Sequence, residues 1–139
     1  MNGVNLRFWG LPAIVVWVAL ASGCASLGKQ QDLPPEEAVR LRAQAWADAL
    51  MARDVAGAYA FTSPNYRQFS SAKGYNVNVA GSGNWTSAVV DSVQCTEEVC
   101  DVRVMVEYTL RQYKMSSRRP LDYKWVRAEG DWWLYVPAK

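Results

Sequence analysis

Three cysteines hold the plainest chemistry in this 139-residue chain. Cys95 and Cys100 stand in "VQCTEEVCDV", with Thr96 to Val99 between them. That interval seats two cysteines opposite each other at the base of a hairpin loop, where the Cα separation suits a disulfide. Closing so small a loop stabilises the fold by about 2 kcal/mol through the entropy of the unfolded chain. A redox-active pair instead uses two intervening residues at a helix start. The alternating residues around Cys100 offer no helix start, so a structural disulfide is expected. Cys24 is then left over, and a spare thiol in an exported chain needs its own explanation.

Cys24 lies in "ALASGCAS", behind the apolar run Leu11–Ala21 and a single upstream charge, Arg7. A positive start, an apolar stretch and terminal small residues form the pattern of an export signal. A membrane-spanning anchor needs about 20 predominantly apolar residues, and the strongly apolar part here is shorter. Ala19-Leu20-Ala21 fits a cleavage site that would release a soluble protein. Ala21-Ser22-Gly23-Cys24 resembles a bacterial lipobox, with Ala21 where leucine is usual. The leftover cysteine tips the choice toward lipid attachment at Cys24. The expected organisation is a lipoprotein signal peptide over 1–23, a tether over 24–34 and a single domain over 35–139. The expected location is the bacterial cell envelope, lipid-anchored in the outer membrane and facing the periplasm, since Ala25 resembles residues that permit passage there.

Composition narrows the chemistry further. Histidine is absent, which removes the commonest general base and the commonest zinc ligand. No metal or other cofactor is expected. The net charge of +2 is too small to argue for a nucleic-acid partner. The length suits one domain.

The elements that would position these residues come in two blocks. "PEEAVRLRAQAWADALMARD" reads as a helix: Pro35 suits the first turn, Glu36 and Glu37 favour its dipole, and Val39, Ala43, Trp46 and Leu50 form one buried stripe. Asp54 ends it and caps a second helix, and Ser63-Pro64 starts a short third. From Tyr75 the period changes to two. "YNVNVAGSGNW" reads as an edge strand entering a loop, followed by strands "WTSAVVDSVQC" and "CDVRVMVEYTLRQY". In the latter, Val102, Val104, Val106, Tyr108 and Leu110 share a face, with Asp101, Arg103, Glu107 and Arg111 opposite. "LDYKWVRA" and "DWWLYV" flank a tight turn at Glu129-Gly130. Helices first and then an antiparallel meander predict an α+β fold, with N-terminal helices packed on one face of a curved sheet.

A helix carrying "AQAWADAL", the run "ARDVAGAYAFTSPNYR" and the late "KWVRAEGDWWLY" resemble the nuclear transport factor 2-like superfamily, over roughly Pro35–Val136. The closest likeness is to small bacterial lipoproteins and secreted proteins of that superfamily. The resemblance implies a cone of helices over a curved sheet. Enzymes, dimerisation modules and binding domains all use that fold, so it licenses no reaction. A likeness to its isomerases or dehydratases would require carboxylates and tyrosines converging in the cone. Asp91 is then the candidate base, with Tyr59, Tyr66 and Tyr108 as candidate donors. None of them stands in a diagnostic spacing.

Two surface features remain. Trp132 and Trp133, adjacent on a strand, must point to opposite faces, and with Trp46 and Trp125 they mark a pocket, a partner surface or simply a buried core. Arg111, Lys114, Arg118, Arg119 and Lys124 gather around one predicted hairpin connection. They read as a surface for anionic headgroups or an acidic partner, or as charges that block edge pairing, and the last is favoured. The function expected is a non-catalytic binding or assembly module of the envelope, held to the membrane by its N-terminal lipid. Its sheet face would meet a second copy or another envelope protein. The alternative is a small-molecule binder or an isomerase- or dehydratase-like enzyme that uses the cone interior.

Overall fold

The computed structural model describes residues 33–110 and 112–137. The expected signal peptide, Cys24, the tether up to residue 32 and Arg111 lie outside the described residues. The chain is α+β: helices pack on an open four-stranded antiparallel sheet whose strands lie in sequence order. No helix among the described residues is long and apolar enough to cross a membrane.

Helix α1 spans Pro35–Met51, with proline in its first turn beside Glu36 and Glu37. Val39, Ala43, Trp46 and Leu50 are all buried, as the 3.6-residue period requires. Arg53 then turns the chain with a φ of 60°, in the left-handed region. The Asp54 carboxylate accepts from Gly57 N at 2.8 Å and starts α2, Val55–Tyr59. Ser63 caps α3, Pro64–Phe69, by accepting from Tyr66 N at 3.2 Å.

Helix α4, Ala72–Val79, and the 3-10 turn Ala80–Asn84 occupy the stretch expected to be an edge strand. The alternation of Tyr75, Val77 and Val79 suggested a strand, but Ser71 caps a helix by accepting from Gly74 N. Tyr75 is only 1% exposed, while Val77 stands in solvent. A strand face would have buried both. Anchoring Tyr75 in the core outweighs the local propensity.

Strands β1 (Trp85–Cys95), β2 (Val99–Leu110), β3 (Met115–Ala128) and β4 (Asp131–Leu134) follow. In β2, Cys100, Val102, Val104 and Val106 are buried, and Asp101, Arg103 and Glu107 are exposed. The opposite face carries ion pairs across β2 and β3: Asp101 with Lys124 at 2.6 Å, Arg103 with Asp122 at 2.8 Å, and Glu107 with Arg118 at 3.8 Å. Cys95 and Cys100 are register partners at the closed end of the β1–β2 hairpin and form a disulfide. Glu129 and Gly130, with φ of 54° and 79°, make the expected tight turn between β3 and β4.

Strand β3 begins at Met115, so Arg118 and Arg119 lie within a strand and not in a connection. Pro120 is what hides this in the sequence, because proline cannot donate to a ladder. Tyr135 N donates to Lys124 O and Arg127 N donates to Glu98 O, each at 2.9 Å. Even-numbered β3 residues therefore turn their backbone away from β2. Pro120 faces that side, where β4 pairs only with Trp125–Ala128, and no ladder bond is lost.

Each outer edge of the sheet is covered in part. On β1, the Gln44 side chain donates to Ala88 O at 3.0 Å and accepts from Val90 N at 2.9 Å, taking the place of a neighbouring strand. On β4, Leu134 N donates to Phe61 O and Ser63 N donates to Leu134 O, which ties the α2–α3 connection alongside.

Candidate functional site

The interior is a packed aromatic cluster. Trp46 of α1 donates its indole N–H to the Tyr75 hydroxyl at 2.7 Å. Its ring meets Tyr123 edge-on, with centroids 4.6 Å apart. Tyr59 and Tyr66 pack against Tyr75 at 5.9 and 6.2 Å. Burial pushes the Tyr75 hydroxyl up to about 12, offset in part by the Trp46 hydrogen bond and reinforced by Tyr123 and Tyr66. Burial likewise raises Tyr123 to about 12, against a lowering by Arg119. Phenols held neutral in this way are structural donors and acceptors, and proton transfer from them near neutral pH is suppressed.

The structure does not gather the sequence-predicted acid–base set. Asp91 is exposed on β1, where its charge is felt by Arg103 on the solvent face. Tyr108 lies half-buried on β2, opposite Ser117. Tyr59 donates to Ser70 O at 2.6 Å. The Tyr66 hydroxyl accepts from Ser70 Oγ and from Asn78 Nδ2, each at 3.0 Å. Tyr75 and Tyr123 complete the cluster that the sequence reading missed. The strand assignment at Tyr75 concealed the first, and Tyr123 reads as an ordinary strand aromatic. Among the described residues, no three His, Cys, Asp or Glu side chains come together as a metal site.

The tryptophans divide as the pleat demands. Trp125 is fully buried and packs on Phe61, and its Nε1 has no hydrogen-bond partner among the described residues. Trp132 is 6% exposed and joins the core. Trp133 is half-buried, with Arg67 and Arg42 at 4.8 and 5.1 Å from its ring, and it donates to Ala128 O at 2.9 Å. Arg42 also meets Asp131 at 3.0 Å, and burial lowers its pKa from the ordinary value while Asp131 opposes that shift. Trp133 is thus covered by cations from the protein's own helices.

The basic residues are dispersed. Lys124 and Arg118 are engaged by Asp101 and Glu107. Arg119, opposite Val106, is on the other face of β3 from Arg118. Lys114 closes the β2–β3 turn with a φ of 49°.

A groove of about 870 Å³ opens between α3, α4, the end of β3 and the residues after β4. Tyr66 forms part of its wall, Phe69 and Tyr135 stand at 84% and 49% exposure, and Asn65, Gln68 and Asn78 bring amides. Glu129 is its only charged lining residue among those described. None of these except Tyr66 was singled out from the sequence, because single exposed Phe, Gln and Tyr residues are unremarkable surface.

No family model matches the sequence, and no curated protein does. Among solved structures, the chain is similar to a SEC-C motif containing protein from Rhodopseudomonas palustris, determined in solution. The match has 17% identity and a TM-score of 0.49, and it covers 70% of this chain and 72% of that one. This corrects the family resemblance drawn from the sequence. The similar structure is a SEC-C motif protein, and nothing in the comparisons points to a nuclear transport factor 2-like domain or to a lipoprotein. The features that suggested that family are an acidic helix stop, a capped aromatic helix and a tryptophan hairpin. These are local capping and turn devices that any helix-on-meander fold can use.

Proposed function

We propose that this protein is a non-catalytic binding module of the bacterial cell envelope, lipid-anchored through Cys24, which holds its ligand in the surface groove beside α3 and α4. The observation that carries the reading is the contrast between a filled interior and an open groove. Trp46, Tyr75 and Trp125 occupy the space beneath the helices, and the concavity lies outside it. Its volume falls within the range of roughly 300–1,000 Å³ usual for ligand clefts. The Cys95–Cys100 disulfide fits an oxidising compartment, and the lipid anchor rests on the Ala21–Cys24 sequence.

A second reading, an assembly module, draws on Leu110, Tyr113 and Met115, which stand exposed at the far end of the β2–β3 ribbon. Native mass spectrometry of the protein extracted from its own membrane separates the two. A discrete small-molecule adduct on an acylated monomer is the expected result. A bare dimer or a complex with another protein would replace the groove reading with the assembly reading. A chain without acyl mass would remove the anchor.

A further inference from the structure

We infer that the groove beside α3 and α4 takes a neutral glycan, a proposal that rests on the binding reading above and assigns its ligand class. The lining decides between ligand chemistries. Among the described residues it includes no lysine or arginine, and its one charge there is the Glu129 carboxylate, so phosphorylated and carboxylated ligands meet repulsion with no compensating cation from that lining. A purely apolar ligand fits no better, because it would strip water from the Asn65, Gln68 and Asn78 amides without replacing their hydrogen bonds.

A sugar ring satisfies both halves of the surface. Its C–H face carries partial positive charge and packs on the negative face of an aromatic ring. Phe69 and Tyr135 offer such rings at the solvent boundary, where a polymer chain could pass without entering the core. Its vicinal hydroxyls are donors and acceptors together, which is what a side-chain amide or a carboxylate can pair with. The Asn65 and Gln68 amides have no side-chain hydrogen bond among the described residues, so they are free to serve. Asn78 is held by the Tyr66 hydroxyl at 3.0 Å, and Tyr66 by Ser70, which fixes one wall before a ligand arrives. Pre-fixing of this kind lowers the entropic cost of binding.

The test is saturation-transfer NMR on the full-length protein in a detergent without a sugar headgroup. The probes are the neutral tetramer of N-acetylglucosamine, the anionic tetramer of galacturonic acid and a neutral extended peptide. Transfer to the neutral oligosaccharide is expected, weakened on the order of tenfold by Tyr135→Ala and by Phe69→Ala, each of which removes one stacking ring. Phe69 is largely in solvent, so its loss leaves the core intact. Lys114→Ala, at the far turn, should bind as the parent does. Four results would each overturn the glycan assignment: preference for the anionic oligomer, preference for the peptide, neutral binding that ignores both ring variants, or no transfer from any probe. Binding of the peptide or anion that is lost in the ring variants would keep the groove as a site while discarding the sugar. No transfer from any probe, in a protein that still carries an adduct from its membrane, would keep the binding reading while discarding the sugar.

Discussion

Trp46 on α1 donates its indole N–H to the hydroxyl of Tyr75 on α4 across 2.7 Å, with each side chain about 1% exposed. This bond fixes α4 to the main helix and seats a helical segment whose sequence pattern suggested a strand. Tyr75→Phe leaves the Trp46 N–H buried without an acceptor, which should cost about 1–3 kcal/mol. Trp46→Phe leaves the hydroxyl without its donor and also opens space in the core, so it should cost more. Urea midpoints of the two single variants and the double variant give the coupling between them. Additive losses would show that the two groups act independently.

The buried Tyr75 phenol and the half-buried Tyr123 phenol make the fold sensitive to alkali. Both Tyr75 and Tyr123 are raised to about 12, chiefly by burial, whereas an unfolded tyrosine titrates near 10. The folded state therefore holds these protons more tightly than the unfolded one. Their contribution is fully present below about pH 10 and is lost as pH rises toward about 12. Urea midpoints should fall across that window, with tyrosinate absorbance rising together with unfolding. Tyr75→Phe should flatten part of the slope. A wild-type midpoint that stays level from pH 10 to 12 would mean that these hydroxyls are reached by water.

At the sheet edge, Gln44 takes the part of a fifth strand, bonding Ala88 O at 3.0 Å and Val90 N at 2.9 Å. Gln44→Glu would turn a donor into a second carboxylate oxygen facing Ala88 O and Asp48, its other partner at 2.9 Å. Stability should fall by about 1–2 kcal/mol, and an uncovered edge should self-associate. Thermal melts at low and high protein concentration check both effects. A melting temperature equal to the parent's at either concentration would show that water serves the edge as well as Gln44 does.

Elements set by short-range rules were legible in the sequence. The 3.6-residue stripe of Val39, Ala43, Trp46 and Leu50, the caps at Asp54 and Ser63, the alternation through Val106 and the Glu129-Gly130 turn each need only neighbouring residues. What escaped depends on distant partners. Tyr75 reads as a strand residue until Trp46 supplies its hydrogen bond. Pro120 reads as a strand breaker until the register shows its nitrogen on the side that β4 does not reach. The groove escaped for the same reason, since its walls meet only once Phe61 and Ser63 bond to Leu134. Without that link, Gln68, Phe69 and Tyr135 lie on unrelated segments.

Cys95 and Cys100 close the end of the β1–β2 hairpin from the core side, and Cys100 is fully buried opposite Trp125. Replacing both by alanine removes a cross-link over a very short loop, worth about 2 kcal/mol by loop entropy. It also removes the sulfur packing of Cys100, so the double variant should lose somewhat more. Reduction of the parent should lose less, because the buried thiol stays in place. Urea midpoints of the oxidised parent, the reduced parent and the double alanine variant should therefore fall in that order. The ordering matters more than the sizes, because it separates the chain constraint from the packing. If the reduced parent matched the oxidised one, the hairpin would be held by its ladder and by Trp125 alone. The disulfide would then be dispensable to the fold.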